Sequence, residues 1–178
     1  MSLSEREPHE AIPALRRGHL DVAIVQDWAD GVLTVPEGLS RRDLLDDPFD
    51  MALPVDHPLA DRDSVAVKEL AGDDWISWST GQICHDWLVR TLRTDGIEPR
   101  VVHTASEHST QLALVAAGLG VAVIPRLGRE PTPPLVRFVP IDPPSTRRIF
   151  ALWRTSAAAR PAIAATLDAL QRCCTIGT

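Results

Sequence analysis

The 178-residue sequence contains only three cysteines, and two of them, Cys173 and Cys174, are adjacent. Three thiols cannot build a framework of paired disulfides, and no CxxC or HxxxH spacing indicates a zinc site. We therefore expect free thiols, no metal ion and no cofactor.

Long hydrophobic runs and clusters of basic residues are also absent. No run approaches the roughly 18 apolar residues that a membrane span requires, and residues 1–8 lack the basic-then-apolar order of a signal peptide. The net charge is -6, Lys68 is the only lysine, and the arginines are scattered along an acidic chain. The sequence therefore predicts a soluble cytoplasmic protein that binds neither a membrane nor, through this segment, nucleic acid.

Short apolar runs alternate with amphipathic stretches, which is typical of parallel strands joined by covering helices. The class is therefore α/β. Strands are predicted at residues 20–25, 48–53, 75–78, 100–103, 121–125, 135–139 and 148–153. Helices are predicted to begin at Pro8, Ser79, Glu107 and Pro161, with Pro13 weakening or splitting the first. Because residues 20–25 are nearly all apolar, we expect that strand to be buried on both faces.

The first candidate site is the turn between the strand at 75–78 and the following helix. Ser79 with Gln82 three positions later fits the capping-box pattern of a helix start. The hydroxyls of Ser77, Ser79 and Thr80 can donate or accept hydrogen bonds, and Gly81 lets a ligand approach the backbone. A helix N-terminus favours anions, although the same residues also fit a plain helix cap.

The next strand-to-helix turn, at residues 104–108, should lie beside the first, because consecutive βα units place their loops at one end of the sheet. Ser106 could cap its helix or contact a ligand. The Glu107 carboxylate would satisfy the N–H groups at the start of its own helix and would repel an anion. Either the ligand carries a cationic or hydroxyl group at this position, or Glu107 points away from it. Gln26, just after the strand at 20–25, is either a further contact or a loop amide in solvent.

The sequence offers little for catalysis, and we predict no enzyme. His57 precedes Pro58 in a turn, which favours side-chain to backbone hydrogen bonding. Cys84 and His85 are neighbours on a predicted helix and do not face each other, so they cannot act as a dyad. Glu107 with His108 is the only pair that an enzyme hypothesis would test.

Four segments occur in a characteristic order: LRRGHLDVAI at 15–24, LPVDHPLA at 53–60, DWIS at 74–77 and LVAAGLGVAVIP at 114–125. Over residues 5–172 their combination resembles the effector-binding domain of LysR-type transcriptional regulators. That family has the fold of type 2 periplasmic binding proteins. The resemblance implies two α/β subdomains joined by two crossover strands, with subdomain I at residues 4–53 and 140–178 and subdomain II at residues 54–139.

The resemblance also implies what the chain lacks. Family members begin this domain with a strand and a helix of subdomain I that have no counterpart here, and the winged helix-turn-helix that binds DNA is absent. The chain therefore resembles a member truncated at its N-terminus, with residues 1–3 as a vector remnant.

The implied function is sensing of a small effector, expected to be anionic, in the cleft between the subdomains. The effector-binding residues would be Ser77, Ser79, Thr80, Gly81, Ser106, Glu107 and Gln26. The effector domains would form a homodimer, and DNA would be bound only through the absent helix-turn-helix domain. The alternative is the solute-binding protein of a transporter, which should carry an export signal.

Overall fold

The computed structural model describes residues 2–28 and 31–176. Within them lie four helices: α1 Pro8–Arg16, α2 Ile83–Thr94, α3 His108–Ala116 and α4 Pro161–Ile176. The seven strands are β1 Val22–Trp28, β2 Leu39–Pro54, β3 Asp74–Ser77, β4 Arg100–Thr104, β5 Val121–Pro125, β6 Val136–Pro140 and β7 Thr146–Arg154. Residue 1 of the expected vector remnant and residues 29, 30, 177 and 178 of the expected subdomain I lie outside the described residues. No helix in the described part of the chain is long and apolar enough to cross a membrane.

The chain divides into two compact units. Unit 1 consists of Met1–Asp46 and Arg147–Thr178, and unit 2 is the continuous stretch Asp47–Thr146. Unit 2 is thus longer at both ends than the segment 54–139 that the resemblance implied.

In unit 1, β7 lies between β1 and the first part of β2. β1 and β7 are antiparallel, with Val22 opposite Trp153 and Trp28 opposite Arg147. Side chains alternate between the two faces of a strand, so neighbouring residues pack on different helices. The core on the α1 side contains Ala11, Leu15, Ala23, Val25, Phe150 and Leu152. The core on the α4 side contains Leu44, Ala151, Ala157, Ile163 and Leu167.

Two predictions for the first strand are wrong. β1 runs antiparallel to its neighbour, because that neighbour is β7 from the far end of the chain rather than the next strand of a βαβ unit. It is also not buried on both faces: burial alternates along it, and Ile24 is 51% exposed. In contrast, α1 follows the prediction at its ends, with Pro8 in the first turn and Gly18 at φ +82 just beyond it, and it is not split at Pro13.

Unit 2 contains the βαβ arrangement that the alternating pattern predicts. Its strands lie in the order β6, β2, β5, β3, β4. β3 is parallel to both β4 and β5, whereas β2 is antiparallel to β5 and β6. The prediction of parallel strands therefore holds for β3, β4 and β5 and fails for β2 and β6, whose partners are distant in sequence.

One helix covers each face of the unit 2 sheet. On one face α3 contributes Leu112 and Val115 to a core that includes Ala52, Ile76, Ala122 and Ile124. On the other face Trp87 of α2 stacks on Phe49 of β2, with ring centroids 4.8 Å apart. Because β3, β4 and β5 are parallel, the turns that follow them all lie at one edge of the sheet.

Candidate functional site

The turns after β3 and β4 meet at this edge of unit 2, which we call the polar edge (residues 77–81 and 105–107). The Ala105 N–H donates to the Ser77 carbonyl at 2.9 Å. The Gln82 amide donates to the Ser106 hydroxyl at 3.2 Å, and the Ser79 and Ser106 hydroxyl oxygens are 3.5 Å apart. The prediction that the two turns are neighbours is confirmed.

The start of α2 differs from the prediction. Gln82, not Ser79, precedes the first helical residue, and no side chain caps the helix. The Gln82 side chain does accept the Ser79 N–H at 3.1 Å, so half of the predicted capping box forms. Gly81 has φ +87, which takes the backbone out of helical geometry and moves the helix start beyond it.

Of the four candidate residues in the first turn, Ser77 is buried and the others approach the surface. The Ser77 hydroxyl lies 3.2 Å from Nδ1 of His85, and the residue is 0% exposed. Thr80 and Gly81 are exposed, and a Cβ placed on Gly81 would meet nothing within 4 Å. The backbone at Gly81 therefore faces open space, as ligand approach requires.

The second turn places Ser106 and Glu107 at the surface. Glu107 directly precedes α3, but its carboxylate does not cap the helix, so that part of the prediction is wrong. Its backbone carbonyl instead accepts the Thr110 and Gln111 N–H groups at 3.1 Å. Glu107 thus contributes its backbone carbonyl, and not its carboxylate, to the hydrogen bonds of the first turn of α3.

Gln111 of α3 stabilises the second turn through a side-chain hydrogen bond, and sequence reasoning missed this residue. Its side chain is 0% exposed, and its Nε2 donates to the Ala105 carbonyl at 2.7 Å. Its Oε1 has no hydrogen-bond partner among the described residues. The available signal was a polar residue next to Leu112 on the apolar side of the helix.

A third turn, Arg126–Gly128 after β5, reaches the same edge. A Cβ on Gly128 would lie 2.5 Å from Nδ1 of His108, so the imidazole packs directly on the glycine. The same imidazole meets the Trp78 ring edge-on, with centroids 5.9 Å apart. Trp78, His108 and Gly128 thus join the three turns.

Charged residues next to this third turn also escaped sequence reasoning. Asp50 of β2 is 0% exposed and accepts Arg126 Nε at 3.0 Å and Nη2 at 3.3 Å. Arg129 also contacts the Asp50 carboxylate. Burial lowers the pKa of the Arg129 guanidinium from its usual value, and the Asp47 carboxylate opposes this shift.

Gln26 lies in unit 1, whereas the other six candidate residues lie in unit 2. Its side-chain oxygen accepts Arg147 Nη1 at 2.6 Å. The next residue, Asp27, is 0% exposed and accepts Arg148 Nε at 2.8 Å, Arg41 Nη1 at 3.2 Å and the Leu33 N–H at 3.0 Å. Gln26 is therefore engaged with an arginine beside a buried ion-pair cluster.

The remaining candidates have structural partners. His57 Nδ1 accepts the Leu59 N–H at 3.2 Å, which confirms the predicted side-chain to backbone bond. Cys84 is buried, and His85 next to it bonds Ser77. Among the described residues no group of three or more His, Cys, Asp or Glu side chains could hold a metal ion.

An open groove of about 750 Å³ lies beside α2 and β4. Its lining includes none of the seven candidate residues. It is bordered by the Arg93–Glu98 pair, 2.7 Å apart, whose hydrogen bond raises the pKa of Arg93 and lowers that of Glu98. The groove is thus a charged, solvent-open surface whose lining residues are different from those of the polar edge.

The model of the LysR substrate binding domain family matches residues 1–174. The chain belongs to this family. It is 34% identical over 141 residues to the HTH-type transcriptional regulator TtuA of Agrobacterium vitis, covering 78% of this chain and 45% of that protein. It is 36% identical over 135 residues to the small neutral protease regulatory protein of Streptomyces coelicolor, covering 75% of this chain and 40% of that protein. The chain thus spans less than half the length of either relative.

Solved structures of LysR-type domains have the same fold. The C-terminal domain of a probable LysR family regulator from Rhodococcus sp. RHA1 has a TM-score of 0.75 at 24% identity, over 93% of this chain and 81% of that one. The regulatory domain of Synechocystis PCC6803 CcmR in complex with 2-PG has a TM-score of 0.80 at 18% identity, over 97% of this chain and 82% of that one. The predicted α/β fold of this family is confirmed, and these LysR-type relatives give no support to the transporter alternative.

Proposed function

We propose that the chain is the effector-sensing part of a LysR-type transcriptional regulator and that the effector contacts the polar edge of unit 2. The observation that carries this proposal is the set of hydrogen bonds among the side chains of Gln82, Ser79 and Ser106, which connect the turns before α2 and α3. That network orders the turns and leaves Thr80, Gly81 and Glu107 exposed. The CcmR domain was solved with 2-PG and a BenM domain with benzoate, which supports a small organic effector.

The chemistry of the edge favours an acceptor-rich ligand. Neither Gln82 nor Glu107 caps the helix that it precedes with its side chain, so neither side chain competes with a ligand for the N–H groups of the first turn. Backbone N–H groups at a helix N-terminus and the helix dipole together favour a negatively charged oxygen. This supports an anionic effector.

The whole regulator would couple this binding to transcription. A ligand that binds one arrangement of the protein better than another shifts the population toward it, by no more than the difference in affinity. DNA binding would come from a helix-turn-helix domain outside this chain, and we expect effector domains to associate as a homodimer. The chain would catalyse no reaction, and it would function in the cytoplasm, where bacterial DNA is bound.

The proposal is tested by screening small organic acids for an increase in melting temperature. At a ligand concentration of about 100 times Kd the stabilisation is about 2.7 kcal/mol, which raises Tm by about 5 °C or more for a chain of this size. For each hit, Thr80→Val should weaken binding in titration calorimetry by about 1 kcal/mol or more.

Thr94→Val is the matched control. Thr94 is also an exposed threonine of unit 2, but it lies at the far end of α2 and bonds the Arg90 carbonyl. Its replacement should leave affinity unchanged. Hits whose affinity is insensitive to Thr80→Val and to Ser106→Ala would move the effector away from the polar edge and refute the proposal.

A further inference from the structure

Arg126 holds an exposed positive charge in a fixed orientation. Asp50 accepts two hydrogen bonds from it, through Nε and Nη2, and the geometry of two parallel bonds fixes the plane of the guanidinium. The Asp50 side chain is fully buried, whereas that of Arg126 is 50% exposed. The ion pair engages Nε and Nη2 of the guanidinium, and Nη1 makes no hydrogen bond to Asp50. A buried carboxylate thus orients a half-exposed cation.

The cluster around Arg126 presents its positive part to solvent. Asp50 also contacts Arg129, and Asp47 accepts the Leu127 N–H at 3.1 Å. Two arginines and two aspartates balance in total charge, but both carboxylates are buried, at 0% and 2% exposure. An approaching ligand therefore meets the Arg126 guanidinium and not the carboxylates.

Arg126 also lies at the polar edge. β5 is parallel to β3, with Ile76 opposite Ala122, so β5 ends at the same edge as the turn that follows Ser77. Gly128 packs on His108, the first residue of α3, which follows Ser106 and Glu107. Arg126 thus begins the turn after β5 at the same edge of the sheet as the polar edge, and that turn packs on the first residue of α3.

We propose that Arg126 recognises the acidic group of the effector, and that the effector is a small hydroxylated organic acid with one negative charge. This inference rests on the proposed function. The guanidinium supplies paired donors for a carboxylate or phosphate. Thr80, Ser79 and Ser106 supply hydroxyl partners. The exposed Glu107 carboxylate disfavours a second negative group and accepts a hydroxyl hydrogen.

Three small probes separate these features: glycerate has a carboxylate and two hydroxyls, glycerol has hydroxyls only, and propionate has a carboxylate only. Each is titrated into the full ¹⁵N-labelled chain, and the amide resonances of residues 79–81, 106–109 and 126–128 are followed. We expect glycerate to bind at least ten-fold more tightly than either of the others. Charge-assisted hydrogen bonds account for about a ten-fold to hundred-fold gain.

The decisive variant is Arg126→Gln, with Arg137→Gln as its matched control. Arg137 is an exposed arginine of the same unit, on β6, with the same charge to lose. Arg126→Gln should reduce glycerate binding to the level of glycerol and leave glycerol binding unchanged, whereas Arg137→Gln should change neither. Arg126→Lys keeps the charge but not the paired donors, and it should fall between wild type and Arg126→Gln.

The outcomes distinguish this inference from the proposed function. Equal glycerate affinity in wild type and Arg126→Gln, with both spectra those of a folded chain, overturns the role of Arg126. Absence of glycerate shifts at these residues in the wild type overturns the ligand class. In either case, screening hits that depend on Thr80 would still support effector binding at the polar edge, and their absence would count against the proposed function itself.

Discussion

Replacing Gly120 by alanine should destabilise unit 2 far more than the same change at Gly118, two residues earlier in the same connection. Gly118 has φ +72, and a Cβ there would meet nothing within 4 Å. Gly120 has φ +146, and its Cβ would lie 2.5 Å from the Asp74 carbonyl oxygen and 3.3 Å from Ile76 Cγ1. Both partners belong to β3, which pairs with the strand that Gly120 leads into.

The magnitude follows from these two environments. Alanine at Gly118 carries only the cost of a left-handed backbone, about 1 kcal/mol. At Gly120 the backbone cost is of similar size or larger, and overpacking against a fixed strand adds about 1–3 kcal/mol. We therefore expect Gly120→Ala to lower the free energy of unfolding by about 4 kcal/mol and Gly118→Ala to lower it by about 1 kcal/mol.

Urea unfolding followed by tryptophan fluorescence measures the difference, because Trp75 is fully buried in β3. With an m-value of about 2 kcal/mol/M, the two variants should differ in midpoint by about 1.5 M. Midpoints within about 0.3 M of each other would show that β3 moves aside at little cost, and the steric reasoning would be refuted.

Two further substitutions test buried polar groups. Asp27→Asn removes the charge that pairs with Arg41 and Arg148, and it should lower the free energy of unfolding by about 3 kcal/mol. Asp168→Asn, at an exposed pair with Arg42, should lower it by less than about 1 kcal/mol. Equal shifts in the urea midpoint of the two variants would contradict the importance of burial. Ser77→Ala should cost about 1 kcal/mol in the same assay by removing the hydrogen bond to His85. Because the Ser77 side chain is fully buried, we expect effector affinity in calorimetry to stay within two-fold, and a larger loss would show that Ser77 contacts the ligand.

The parts of the fold that could be predicted depend on local pattern. The strand and helix pairs of unit 2 have apolar periodicity and glycines at their ends, so β3, α2, β4, α3 and β5 could be located from the sequence. The meeting of the two polar turns also followed, since parallel strands align their following loops at one edge.

The parts that could not be predicted depend on contacts between distant residues. Asp50 and Arg126 are separated by 76 positions, and nothing near either residue indicates the pairing that orients the arginine. The direction of β1 is set by β7, and an apolar run fixes neither its partner nor its exposed face. The capping-box pattern placed the start of α2 at Ser79, but the helix begins at Ile83 because Gly81 adopts a positive φ.

The order of the two units along the chain has a consequence for synthesis on the ribosome. All but the last residue of unit 2 emerges before β7, the strand that lies between β1 and β2. Gln26 and its partner Arg147 are 121 positions apart, an interval that takes on the order of 10 seconds to translate. During that time β1 lacks its antiparallel partner, so the apolar side chains of unit 1 stay incompletely packed until β7 emerges.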